Sequence, residues 1–187
     1  MANRKIAVFV GSLRKQSLNR NMAQAFMALA PASLEFDMLP IGQLPFYNQD
    51  RDDEGAPAPE WSAFREQVQG FDGVLFFTPE YNRSVPAVLK NALDVGSRPY
   101  GKSVWNGKPG AVVSVSPGAI GGFGANHHLR QSLVALNVAT MPAPEAYIGG
   151  AAGLFDAEGR LANESTRTFA AGFMQKFAAW VEANPAR

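Results

Sequence analysis

Three short runs of apolar residues constrain the fold of this 187-residue chain more than any other feature. Ile6–Val10, Val74–Phe77 and Ala111–Val115 contain a single polar residue between them. Such continuous runs are typical of strands that are buried on both faces of a parallel sheet. Leu34–Leu39 alternates instead, which predicts an edge strand with one wetter face. A fifth strand is expected within Val138–Ile148, where two prolines blur its limits.

Segments with helical periodicity separate these strands. Helices are predicted near Leu18–Ala30, Glu60–Gln69, Val85–Val95 and His127–Leu136. The final helix has the clearest apolar stripe, formed by Phe169, Phe173, Phe177, Trp180 and Val181. Alternating strands and helices predict βαβ units with right-handed crossovers. The expected fold class is therefore α/β, a flavodoxin-like doubly wound five-stranded parallel sheet of order 2-1-3-4-5 with helices on both faces.

Length and composition narrow the function classes. The chain is expected to form one domain over residues 1–187, with Pro40–Pro59 as a long irregular excursion that serves as a surface loop or partner contact. A net charge of +1 provides no electrostatic footprint for nucleic acid. The sequence has no cysteine, which excludes disulfides, thiolate catalysis and thiolate-bound metal. Since no apolar run is long enough for a membrane span, a cytoplasmic protein is expected.

The polar turn Gly11–Arg20 directly follows the first strand and leads into the first helix. The N–H groups that begin a helix lack intrahelical partners and carry partial positive charge, so they attract anions. Ser12, Ser17 and Asn19 add hydrogen-bonding side chains, and Arg14 adds a permanent charge suited to phosphate oxygens. The turn matches neither the dinucleotide-binding glycine fingerprint nor a Walker loop. We predict a phosphate site; in the alternative, the serines only cap the helix and Arg14 is solvated.

Two further loops are expected at the same sheet edge, because ligands of this fold bind at the carboxyl ends of the strands. Thr78–Pro86 follows the third strand, and two prolines stiffen it. Tyr81 offers an aromatic surface for a flat heterocycle. Equally, the segment is an ordinary turn in which Ser84 caps the next helix and Tyr81 lies on the surface. Ser116–Gly124 follows the fourth strand, and its four glycines allow close approach of a ligand or positive φ.

Side chains for proton transfer or nucleophilic attack do not form a recognisable set. His127 and His128 are adjacent on a predicted helix, so they do not chelate a metal, and no metal site is expected. Ser12 lacks the glycine elbow of a hydrolase nucleophile. Glu80 and Glu145 have no partner in the sequence that marks an acid–base pair. These features favour an enzyme whose chemistry belongs to a bound cofactor.

Three motifs carry a resemblance that covers nearly the whole chain. They are Gly11-Ser-Leu-Arg-x-x-Ser-x-Asn19, Pro79-Glu-Tyr-Asn-x-Ser-x-Pro-x-x-Leu-Lys-Asn91 with Asp94, and Ser116-x-Gly-x-x-Gly-Gly122. In this order they resemble the NADPH-dependent FMN reductase family, and within it the bacterial chromate and quinone reductases. The resemblance implies that FMN binds. It assigns the phosphate to Ser12, Arg14, Ser17, Leu18 and Asn19, and the isoalloxazine ring to Pro79, Glu80, Tyr81 and Asn82, with Ser116 and Gly118 on its far side.

The same resemblance implies the reaction. NAD(P)H passes a hydride to the flavin, which then reduces quinones, azo compounds, ferric complexes or chromate. Arg83 and Arg98 are both candidates for contact with the 2′-phosphate of NADPH; in the alternative, they are solvated or lie at a subunit interface. Family members form dimers, often paired into tetramers; a homodimer is favoured here, because Gly124 and His127 stand where some tetrameric members carry arginine and tyrosine. The alternatives are a flavodoxin-type electron carrier without a nicotinamide site and a non-catalytic flavin-binding protein.

Overall fold

The computed structural model describes residues 3–186. Its strands are Arg4–Val10 (β1), Leu34–Met38 (β2), Gly73–Thr78 (β3), Pro109–Val115 (β4), Ala139–Thr140 (β5) and Ala146–Ile148 (β6). Its α-helices are Leu18–Ala28 (α1), Gln49–Asp53 (α2), Pro59–Gln69 (α3), Ala87–Gly96 (α4), Phe123–Ala135 (α5) and Glu164–Ala183 (α6). A 3₁₀ turn covers Ala151–Leu154. Among residues 3–186, no helix is both long and apolar enough to span a membrane.

The sheet is parallel throughout and has the order β2-β1-β3-β4-β5, which confirms the predicted topology. The expectation of a single fifth strand needs correction, because two short strands occupy that position. β5 pairs with Pro109 and Gly110 at the start of β4, and β6 pairs with its last three residues. Pro142 and Pro144 lie between them, and proline has no N–H with which to continue a ladder.

Alternate side chains of the central strands supply two separate cores. On one face, Val8, Leu75 and Val113 pack against α1 and α6, including the fully buried Phe173 and Phe177. Phe169 and Trp180 of the predicted α6 stripe are partly buried against the same core. Burial of both faces explains why the sequence of these strands is continuously apolar.

On the other face, the alternate residues Phe9, Phe76 and Val112 pack against α3, α4 and α5, with the buried Trp105 in the same cluster. The rings of Phe9 and Trp105 meet edge to face, with their centroids 5.4 Å apart. Helices thus cover both faces, as predicted. The loops after β1, β3 and β4 consequently emerge at one edge of a rigid sheet.

The predicted helix bounds are close to those observed, with two informative differences. α4 begins at Ala87 rather than Val85, because Pro86 is its N-cap residue. α5 begins at Phe123, four residues before the predicted start, since the chain turns into it at Gly122 with a φ of 75°. Left-handed backbone of this kind favours glycine. The apolar periodicity of the helix does not show that the helix begins at this turn.

Candidate functional site

The loops after β1 and β3 are in direct contact at the carboxyl edge of the sheet. The Gly11 N–H donates to the Phe77 carbonyl at 2.8 Å. A Cβ atom at Gly11 would lie only 3.0 Å from Pro86 and 3.2 Å from Pro79, so glycine permits this approach. The two prolines therefore form a wall against the start of the first loop.

The first loop presents a row of free donors. Within the part of the chain that the structure describes, the N–H groups of residues 12–16 donate to no protein acceptor. α1 has no acidic residue in its first turn, and its N-cap Ser17 accepts from the Arg20 N–H at 3.2 Å. The alternative in which Ser17 caps the helix is thus correct for its oxygen, but its O–H remains able to donate. Ser12 is buried beside these donors, and Leu18 is the first helical residue.

Exposed basic side chains surround this loop. Arg14, Lys15 and Arg20 are exposed, and none of the three forms an ion pair with another residue between 3 and 186. Backbone donors, a helix N-terminus and free cations together suit a phosphate group. The residues present therefore fit the phosphate of a mononucleotide.

Asn19 connects α1 to the end of β4. Its Nδ2 donates to the Val115 carbonyl at 3.2 Å, which fixes the orientation of the amide because a carbonyl only accepts. Its Oδ1 is buried and has no partner among residues 3–186. A phosphate dianion has no proton to give to this oxygen, whereas a ligand hydroxyl has one. The unpaired oxygen thus suits a sugar-like hydroxyl, while the second N–H of Nδ2 can still serve the phosphate contact that the resemblance assigns to Asn19.

The loop after β3 folds into a tight turn at Tyr81–Ser84. Tyr81 and Ser84 exchange two backbone hydrogen bonds of 3.0 Å, and the central residues Asn82 and Arg83 have φ values of 49° and 64°. Left-handed backbone is unfavourable for arginine, so the surroundings must stabilise it. Tyr81 is half exposed at 50%, which agrees both with a role as a ring platform and with the alternative of a surface residue, and Pro79 is buried.

Ser84 does not cap α4 as the alternative interpretation expects. Its Oγ lies 3.0 Å from Nδ1 of His128 on α5, and the N-cap of α4 is Pro86. His127 faces a different partner, the Tyr147 hydroxyl, with Nε2 at 3.0 Å. The two histidines therefore point to separate groups. Among residues 3–186, no cluster of three or more metal-ligating side chains is present.

Glu80 has a side-chain contact that the sequence did not predict. Its Oε2 accepts from the Ala125 N–H at the start of α5 at 3.0 Å, and its Oε1 accepts from Arg83 at 2.9 Å. Burial alone would raise the pKa of Glu80, but these hydrogen bonds outweigh it and lower the pKa below its ordinary value. The carboxylate is thus charged at neutral pH, and both of its oxygens already accept from donors of the protein itself.

The glycine-rich loop after β4 is held by contacts within the loop and by the neighbouring strands. Ser116 Oγ accepts from the Gly118 N–H at 3.1 Å, and the Ser116 N–H donates to Ile148 at 2.9 Å. Gly121 and Gly122 have positive φ and lie tightly against Tyr147 and Ser114. Gly118 is exposed, and its nearest neighbour is Ser116 Oγ at 3.5 Å from a Cβ position. Of these glycines, Gly118 is the one with open space for a ligand.

A buried amide on α5 was also missed. Asn126 is fully buried, and its Nδ2 donates to the Ala146 carbonyl at 3.1 Å while its Oδ1 accepts from Arg130 at 2.9 Å. Arg130 donates in turn to the Met141 carbonyl at 3.0 Å. This network fixes α5 to the split fifth strand. Its only sequence signal is a polar residue at an apolar position of the helix, which is weak by itself.

Known proteins resemble this chain over nearly its full length. The sequence profile of the NADPH-dependent FMN reductase family matches residues 4–153. A quinone reductase of Pseudomonas putida is 61% identical over 181 residues, which cover 97% of this chain and 96% of that protein. A 2-hydroxy-1,4-benzoquinone reductase of a Burkholderia species is 50% identical over 178 residues, 95% of this chain and 96% of its own. Among solved structures, FerB, a flavoenzyme NAD(P)H:(acceptor) oxidoreductase from Paracoccus denitrificans, superposes with a TM-score of 0.90 at 43% identity, covering 97% of this chain and 99% of FerB.

Proposed function

The chain belongs to the NADPH-dependent FMN reductase family, and we propose that it reduces quinones. It is an oxidoreductase with FMN as its cofactor and NAD(P)H as its electron donor. The names of the Pseudomonas and Burkholderia relatives support a quinone as the acceptor. FMN, when bound, supplies the redox chemistry by taking a hydride from NAD(P)H and passing electrons to the acceptor.

The protein's own residues bind and orient the cofactor in this proposal. The phosphate binds to the free N–H groups of residues 12–16 and to Ser12, Arg14, Ser17 and Leu18. Asn19 Oδ1 accepts a hydrogen bond from a ribityl hydroxyl. The single observation that carries the proposal is this row of donors at the start of α1, which have no acceptor among residues 3–186, beside a buried acceptor. Pro79, Glu80, Tyr81 and Asn82 offer backbone and an aromatic face to the ring, and Ser116 and Gly118 line its other side.

The two candidates for the 2′-phosphate of NADPH differ in position. Arg83 belongs to the turn after β3 and is exposed apart from its ion pair with Glu80. Arg98 follows the C-terminus of α4, which runs back from the carboxyl edge of the sheet to its amino edge, and it donates to Ser97. Within one subunit, Arg83 is therefore the better candidate.

A flavodoxin-type carrier without a nicotinamide site is not supported. Relatives that are 50% and 61% identical over at least 95% of this chain are reductases by name. A net charge of +1 also does not provide the strongly acidic surface through which electron carriers dock on their partner proteins. Reduction of chromate, azo compounds and ferric complexes stays a prediction, as does a cytoplasmic location.

Assembly as a homodimer is part of the proposal. Phe46, Tyr100 and Val134 are large apolar side chains that the single subunit leaves exposed, and a second subunit could cover them. A tetramer remains the second prediction. A sedimentation mass near the 20.1 kDa of one chain would contradict both.

Oxidation of NADH and NADPH by the FMN-loaded protein, with 1,4-benzoquinone as acceptor, tests the function. Consumption of at least one nicotinamide should require both the protein-bound flavin and the quinone. The flavin-free protein and free FMN at the same concentration serve as controls. If neither nicotinamide bleaches the bound flavin, the protein is not a nicotinamide-dependent reductase. If the flavin is bleached but no quinone restores its colour, quinones are not the electron acceptors of this protein.

A further inference from the structure

The loop after β3 and the first turn of α5 share a carboxylate. Glu80 accepts from the Ala125 N–H at 3.0 Å and from Arg83 at 2.9 Å, and its side chain is only 12% exposed. Ala125 is the third residue of α5, and Glu80 precedes it by 45 positions. The contact therefore joins the loop after β3 to the start of α5, two segments that are far apart in the sequence.

Helix α5 depends on this outside carboxylate for its N-terminal cap. Its own N-cap residue is Gly122, which has no side chain, and its first turn contains no acidic residue. Unpaired N–H groups and the positive end of the helix dipole both favour a negative charge at this point. Glu80 supplies that charge from the neighbouring loop.

Gly124 makes the approach possible. A Cβ atom at this position would lie 2.9 Å from Glu80 Oε2 and 3.0 Å from the Arg83 carbonyl oxygen. The first distance is too short for a carbon atom and the second is tight, so a side chain at this position would displace the Glu80 carboxylate from the helix. On the far side of the turn, Ser84 Oγ and His128 Nδ1 lie 3.0 Å apart and add a second tie.

The turn that these contacts stabilise is unfavourable by itself. Asn82 and Arg83 are both in the left-handed region, with φ of 49° and 64°. Two successive non-glycine residues in this conformation persist only when surrounding contacts fix them. The ion pair between Arg83 and Glu80 connects one of these strained residues directly to the carboxylate that caps α5.

We propose that Glu80 is a positioning residue that ties the Tyr81–Ser84 turn to α5 and thereby fixes the separation of the two loops beside the flavin ring. This inference rests on the proposed function, because it takes those loops as the ring site. Glu80 acts on the flavin through the loop backbone and not by a side-chain contact. Loss of the Glu80 charge should weaken binding of the flavin ring and leave binding of the phosphate group unchanged.

The test compares FMN with riboflavin, which carries the same ring without the phosphate. Glu80→Gln keeps the shape of the side chain but removes the charge that Arg83 and the helix face. We expect the dissociation constants of both flavins to rise by the same factor, about tenfold. The visible absorption band of the bound flavin should also shift toward that of free flavin, which a loss of stability alone would not cause.

Gly124→Ala tests the same contact from the helix side. It retains every charge and improves the intrinsic helix propensity, yet its methyl group displaces the Glu80 carboxylate. A similar loss for both flavins is expected. In the double variant, the factor by which the flavin dissociation constant rises should be smaller than the product of the two single factors, because both changes act on one contact.

Glu182→Gln is the matched control. Glu182 also forms an ion pair with an arginine, Arg4, at 3.1 Å, but at the start of β1 on the opposite edge of the sheet. This variant should bind both flavins as the wild type does. Wild-type affinities in folded Glu80→Gln and Gly124→Ala proteins, or a loss for FMN alone, would overturn the inference. A wild-type protein that binds neither flavin would instead contradict the proposed function.

Discussion

A Cβ atom at Gly121 would lie 2.7 Å from the carbonyl carbon of Tyr147, and the residue has a φ of 65°. Gly118, three positions earlier, has no comparable obstruction and a φ outside the left-handed region. At the scale of single residues, the glycines of this loop thus have two different functions. Gly121, Gly122 and Gly124 permit tight packing of the protein against itself, and Gly118 leaves room for a ligand.

Substitution of these glycines by alanine should separate the two functions. Gly121→Ala should lower the free energy of unfolding of the flavin-free protein by about 2–4 kcal/mol, because it adds left-handed strain and backbone overlap. Gly118→Ala should change that stability by less than about 0.5 kcal/mol but weaken FMN binding.

Urea unfolding of the flavin-free proteins and FMN titration provide the two measurements. Equal destabilisation by both substitutions would mean that Gly118 also serves packing. A Gly118→Ala protein with unchanged FMN affinity would remove this residue from the ring site.

At the scale of elements, the excursion between β2 and α3 is more ordered than its composition suggests. It contains the short helix α2, and Asp52 in this helix forms a bidentate ion pair with Arg65 of α3 at 2.8 and 2.7 Å. Both side chains are nearly buried, and Arg65 also donates to the Val95 carbonyl at the end of α4. Asn91 of α4 binds the backbone of residues 44, 45 and 47. These contacts fix the excursion to the helices of one face.

Asp52→Asn should destabilise the protein by about 3 kcal/mol, because it leaves the Arg65 guanidinium nearly buried without its counter-charge. Urea unfolding at neutral pH measures the loss. Glu182→Gln, in the exposed pair with Arg4, should cost less than about 1 kcal/mol. Similar costs for the two substitutions would contradict the anchoring role of Asp52.

The same pair has a predictable pH dependence. Hydrogen bonds from Arg65 lower the pKa of Asp52 below its ordinary value of 3.8, although burial opposes them. A carboxylate with a depressed folded pKa contributes stability above its unfolded pKa and loses it as the pH falls through the folded value. The stability difference between wild type and Asp52→Asn should therefore shrink as the pH falls below about 4. A difference that stays constant down to pH 2 would contradict this assignment.

The sequence predicts the sheet better than it predicts these connections. Continuous apolar runs identify the buried strands, since both faces of β1, β3 and β4 are covered. α2 escapes prediction because its five residues, Gln49–Asp53, are all polar and show no helical period. Its order comes from Arg65, 13 positions away from Asp52, and such pairings are not visible in local patterns.

The candidate site shows the same division. The polar turn after β1 is readable because strand, glycine, serines and arginine are consecutive. The side-chain position of Glu80 is not readable, because its partner Ala125 contributes only a backbone N–H from the first turn of α5. The ligand roles of the predicted site residues stay predictions.

At the scale of the whole molecule, topology concentrates the site at one edge. The order β2-β1-β3-β4-β5 brings the ends of β1, β3 and β4 side by side. Asn19 spans from α1 to Val115, and Glu80 spans from the turn after β3 to α5. We propose that this edge binds FMN with its phosphate at the start of α1 and its ring at the other two loops.

The ratio of the dissociation constants for riboflavin and FMN tests this claim most directly. FMN should bind the wild type at least about 100-fold more tightly, since the phosphate adds charged hydrogen bonds worth several kcal/mol. Arg14→Ala should remove about 1.5–3 kcal/mol of that preference and leave riboflavin affinity unchanged. Equal wild-type affinities for the two flavins would contradict the claim.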